Sequence, residues 1–84
     1  MVISSLVIET MLDYTQQVAD ELASRQGIEV HGIDGYKIII TIEAPTVDES
    51  HAIANAIVPI VGVIGVDLIY LNFEDDPTIY PYGV

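Results

Sequence analysis

Cysteine and tryptophan are absent from this 84-residue sequence, and Arg25 and Lys37 are its only Lys or Arg residues. Without thiols there is no disulfide framework, thiolate zinc site, iron–sulfur cluster or cysteine nucleophile. The shortage of basic side chains excludes a nucleic-acid partner, because phosphate binding requires clustered Lys and Arg that release counterions. An anionic membrane surface would repel the chain for the same reason. What is present instead is acid: 2 Lys and Arg against 13 Asp and Glu give a formal net charge of −11. Such charge often accompanies disorder, but 51% hydrophobic residues and a mean hydropathy of +0.50 contradict it. The composition describes a folded acidic module suited to cations or basic peptides.

Long hydrophobic runs are missing too. The best candidate, Ala52–Val66, is shorter than a membrane span and is interrupted by Pro59, Gly62 and Gly65. The opening Met1–Ile8 has no basic flank and is only about a strand long, so it reads as structure and not as a targeting signal. A soluble cytoplasmic protein is the simplest expectation. A chain of this length makes one small domain that buries roughly 60–65% of its unfolded surface, enough for a two-layer core but not for a deep cleft. We place that domain at residues 1–74, followed by an acidic tail with Pro and Tyr at 75–84 that offers no periodic apolar face.

The apolar spacing sets out the elements. Val2–Glu9 is rich in β-branched residues and predicts a strand. From Met11 to Gln26 the period becomes helical, with Met11, Tyr14, Val18 and Leu22 on one stripe, Thr10 as the expected N-cap and Gly27 as the stop. Ile28–Ile33 and Tyr36–Glu43 predict a hairpin about Asp34-Gly35. A two-residue Asp34-Gly35 loop would turn Glu29 into the core stripe, so a three-residue Ile33-Asp34-Gly35 loop with a bulge is expected, pairing Val30 with Ile38 and Ile28 with Ile40. Thr46-Val47-Asp48-Glu49 has capping-box spacing and opens a second helix ended by Pro59, and Val63–Phe73 alternates as a fourth strand.

The order β-α-β-β-α-β predicts an α+β, ferredoxin-like fold: a four-stranded antiparallel sheet, strands one and three central, with two helices on one face. The other face is uncovered. On strand one it would carry Ser5, Val7 and Glu9, and on strand two Glu29 and His31. Strand three would add Lys37, Ile39, Thr41 and Glu43, and strand four Asp67, Ile69 and Leu71. Such a face is apolar in its middle and acidic around it.

Ile3-Ser4-Ser5-Leu6-Val7-Ile8, the entry Gly27-Ile28-Glu29-Val30-His31, the Lys37–Glu43 strand and Gly62-Val63…Leu68-Ile69-Tyr70 resemble the NapD family across about residues 3–74. The short hairpin and the Pro/Tyr-rich tail depart from that pattern. NapD proteins are small cytoplasmic chaperones for maturation of the periplasmic nitrate reductase. The resemblance implies a ferredoxin-like protein that binds the twin-arginine signal peptide of the reductase catalytic subunit and delays export until the molybdenum cofactor is inserted. The uncovered face is compatible with that role, since an amphipathic segment can dock on an apolar centre while carboxylates orient its paired arginines. Its residues Ser5, Val7, Glu9, Glu29, His31, Ile39, Thr41, Glu43, Asp67, Ile69 and Leu71 are therefore the expected peptide contacts.

Simpler readings stand beside each of these. His31 opposite Lys37 serves equally as a polar strand residue, Glu9, Glu43 and Asp67 as solvated charge, and Glu74-Asp75-Asp76 as a solvated terminus. Ile69 and Leu71 would equally be buried by a homodimer. His31 and His51 lie on a strand and a helix that do not converge, so no metal site is expected, and no cofactor. Nor is an enzyme expected. Arg25, at a helix end, cannot hold a phosphate as acylphosphatase-type chemistry requires, Ser4 and Ser5 lack triad partners, and Gly62-x-x-Gly65 is too short for a phosphate loop. The alternative function is an ACT-like regulatory or dimerising domain that binds a small ligand.

Overall fold

The computed structural model describes the backbone of residues 1–72 and side chains through Ile69. Its elements run β1 (Val2–Thr10), a 3-10 turn (Leu12–Tyr14), α1 (Thr15–Ala23), β2 (Ile28–Asp34), β3 (Lys37–Ala44), α2 (Val47–Ile57) and β4 (Val63–Asn72). The strands form one antiparallel sheet in the order β2-β3-β1-β4, with β1 and β3 central and both helices on one face. This is the expected ferredoxin-like architecture. The acidic tail and the domain boundary at residue 74 lie outside the described residues.

The core follows from the period-two alternation of β1 and β3. Leu6 and Ile8 on β1, and Ile38, Ile40 and Ile42 on β3, are buried beneath Val18 and Leu22 of α1 and Ile57 of α2. Two buried hydroxyl pairs sit among them. Ser4 Oγ meets Ser50 Oγ at 2.9 Å, joining β1 to α2, and Thr10 Oγ1 meets Thr15 Oγ1 at 2.6 Å. Each hydroxyl satisfies another that would otherwise be costly to bury.

Two local expectations are corrected. Thr10 does not cap a helix; it is the last residue of β1 and its hydroxyl donates to the Tyr36 carbonyl at 3.2 Å. The helical stripe beginning at Met11 accordingly starts as a 3-10 turn, with Met11 exposed and α1 proper opening at Thr15. The hairpin register also differs. Asp34 pairs with Lys37 across a tight turn containing Gly35 at φ 63°, and the extra residue is taken up by a bulge at His31, between Val30 and Gly32. Ile28 then pairs with Ile42 and Val30 with Ile40. Both still face the helices, because a bulge shifts strand phase by one residue wherever it is placed. The second helix begins as expected: the Glu49 N–H donates to Thr46 Oγ1 at 3.1 Å.

Candidate functional site

The strand registers lay out the uncovered face in rows. Its middle row is His31 and Gly32, Ile39, Val7, Asp67, crossing β2, β3, β1 and β4 in turn. On one side lies the row Glu29, Thr41, Ser5; on the other, Lys37 faces Glu9, which faces Gly65. Glu43 stands opposite Ile3 at the far end. Val7 is half-buried by its neighbours and Ile39 is exposed, so the centre is an apolar patch with polar surroundings. His31 is tied down locally, its Nε2 lying 2.8 Å from Thr41 Oγ1.

The electrostatics are one-sided. Glu9, Glu29, Glu43 and Asp67 all belong to this face, against Lys37, whose ammonium is 5.7 Å from the centroid of the Tyr36 ring. Arg25 is on the helix side, donating to Glu21 Oε2 and to the Ala56 carbonyl, both at 3.0 Å, where it braces α1 against the end of α2. Glu9 leans over Gly65: a Cβ built on that glycine would lie 3.5 Å from Glu9 Oε2. With Asp67 diagonal to Glu9 across β1 and β4, two carboxylates flank a position that has no side chain of its own.

Two bulges in β4 change the membership of the face. The shift between Ser5 and Leu6 leaves Ile69 beside Tyr70, which pairs with Ser5, so Ile69 stays on the open side at 58% exposure. Beyond the bulge Leu71 pairs with Ser4, whose side chain is buried toward α2. The side chain of Leu71, expected on the open face, lies outside the described residues. The second shift, between Glu9 and Thr10, turns Ile64 outward at 63% exposure. Sequence alternation missed Ile64, which an unbroken period of two would place on the inner side with Val66.

A protein-family model described as NapD protein matches residues 1–75. The chain belongs to the NapD family. NapD proteins are chaperones with a role in nitrate reductase maturation and are not enzymes. No curated protein matches the chain. The solution structure of the E. coli Tat proofreading chaperone protein NapD is similar in fold, with a TM-score of 0.77 at 23% identity over 81% of this chain and 74% of that one. The ferredoxin-like sheet and its two helices are therefore the NapD scaffold. Among the described residues no helix is long and apolar enough to cross a membrane.

Proposed function

We propose that this protein is a cytoplasmic chaperone that binds the twin-arginine signal peptide of the nitrate reductase catalytic subunit on its uncovered sheet face. Holding that peptide delays export until the molybdenum cofactor is in place. The observation that carries the reading is the face itself, in a chain of the NapD family: an apolar centre of Val7 and Ile39 extended by Ile64 and Ile69, edged by Glu9, Glu29, Glu43 and Asp67. A twin-arginine signal joins adjacent guanidinium groups to an apolar stretch, and this face offers a complement to both. The apolar centre supplies affinity, and the carboxylates supply steering and orientation. Ser5, Thr41 and His31 add hydrogen-bonding groups between the two regions.

Calorimetric titration with a twin-arginine signal peptide, beside a version whose paired arginines are alanine, tests the proposal at two salt concentrations. Binding that weakens on loss of the arginines and at higher salt is the expected result. No heat, from a folded protein and an intact peptide, overturns it. A protein that instead self-associates through Ile64 and Ile69 and ignores the peptide fits the dimerising regulatory domain.

A further inference from the structure

The helix side of the sheet carries a groove that the proposed function does not use. α2 packs over β1 and β3 but leaves the edge strand β4 partly bare. Leu68 pairs with the buried Leu6 and so faces the helix layer, yet it is 56% exposed; Val58, at the end of α2, is 57% exposed. Between α2 and β4 runs a groove of about 250 Å³ whose two ends differ. Ser4, Ser50 and His51 gather at one end, where β1 meets the first turns of α2. Further along α2 the walls become apolar, with Ala54 and Val58 facing Val66 and Leu68 of β4.

We propose that this groove binds a small aliphatic monocarboxylate, its oxygens at Ser50 and His51 and its hydrocarbon tail between Val58 and Leu68. The first observation is an unspent donor. Ser4 and Ser50 are each 2% exposed, and among the described residues their hydroxyls bond only to each other. One O–H donates across that 2.9 Å contact, which leaves the hydrogen of the other hydroxyl without an acceptor. Buried hydroxyls find partners as a rule, and both serines line the groove, so the missing acceptor is one that enters there.

The second is charge. In a chain of formal net charge −11, no carboxylate lines the groove, and His51 is its one ionisable side chain. An ammonium head finds no counter-charge there, whereas a carboxylate accepts from the spare hydroxyl and from the His51 ring. His51 is exposed, so the carboxylate also keeps contact with water at the mouth of the groove. The third is shape. At about 30 Å³ for each non-hydrogen atom, water's share of liquid volume, the groove holds about eight such atoms, the size of hexanoate. A row of waters suits it less, because each buried water takes about three polar partners and the walls beyond the serines are hydrocarbon. This inference does not rest on peptide binding by the other face.

The test is NMR of the full chain titrated with hexanoate, beside hexylammonium and hexanol. Saturable shifts of the Ala54, Val58, Val66 and Leu68 methyls are expected, with NOEs from the terminal methyl of hexanoate to Val58 and Leu68. Hexylammonium should bind at least tenfold more weakly, and Ser50→Ala and His51→Ala should each weaken hexanoate several-fold. Because His51 is exposed, His51→Ala reads the head contact in a folded protein even where Ser50→Ala lowers stability. Shifts that do not saturate, or that centre on Val7 and Ile39, overturn the proposal. Equal binding of all three probes overturns it as well, since the groove would then take hydrocarbon without reading its head.

Discussion

Val7 and Ile39 stand opposite one another across β1 and β3, at the centre of the face that neither helix covers. Val7 is half-buried, while Ile39 is 40% exposed and contributes less to the fold than its buried neighbours Ile38 and Ile40. Ile39→Ser should therefore leave far-UV circular dichroism unchanged while weakening twin-arginine peptide binding by about tenfold. Full burial of such a side chain is worth about 1.5–3 kcal/mol, part of which Ile39 already has, and 1.4 kcal/mol is tenfold. An unchanged Kd in calorimetry would remove this patch from the binding surface.

The paired variant Glu9→Gln with Asp67→Asn addresses the charge instead. Exposed ion pairs contribute only about 0.2–1 kcal/mol each, so equilibrium affinity should fall modestly. The larger expected change is in stopped-flow association, with a several-fold slower on-rate and a flatter dependence on salt, because these carboxylates act mainly by steering. If rate and salt dependence both match the parent, Glu9 and Asp67 are solvated charges with no part in recognition.

Much of this arrangement was legible in the residues themselves. The capping box at Thr46 and Glu49 and the central placement of β1 and β3 were legible, whereas Gly27, the expected helix stop, lies in the turn into β2, because α1 already ends at Ala23 with Ser24 as its C-cap. The hairpin shows where that reasoning ends. Keeping Ile28 and Val30 inside and Glu29 outside requires one extra residue somewhere in the hairpin. Parity cannot say whether it sits in the loop or at His31, because both solutions bury the same side chains. The same ambiguity hid Ile64, displaced by a bulge in β4 that alternation does not announce. Thr10 was misread for another reason: a buried threonine hydroxyl at the end of a strand has the same sequence appearance as a helix cap.

The Ser4–Ser50 contact should behave as a matched pair. Both residues are 2% exposed, and their hydroxyls are 2.9 Å apart between β1 and α2. Ser4→Ala leaves the Ser50 hydroxyl buried without that partner and should cost about 1–3 kcal/mol in equilibrium denaturation. Removing both hydroxyls should recover a large part of that loss, since two apolar groups of the same shape have no unmet hydrogen bond. Additive losses in the double variant would show that the two hydroxyls are not coupled.

Gly62 should be the least replaceable glycine of the hairpin and loops. It precedes β4 at φ 99°, its carbonyl accepts from the Met11 N–H at 2.9 Å, and a Cβ added there would lie 2.7 Å from Tyr14 Cγ. Tyr14 cannot simply withdraw, because it packs against the core formed by Ile8, Val18 and their neighbours. Gly62→Ala thus combines a disfavoured backbone region, about 1–3 kcal/mol by itself, with a collision, and should lower stability by about 2 kcal/mol or more. Gly35 also has a positive φ, 63°, but nothing lies within 4 Å of a Cβ built there. Gly35→Asn should therefore cost well under about 1 kcal/mol, because Asn tolerates the left-handed region and meets no neighbour. Denaturation midpoints for the two variants separate backbone strain from packing. Equal losses would mean that Tyr14 yields, and that the junction of β1, the 3-10 turn and β4 is held by its backbone alone.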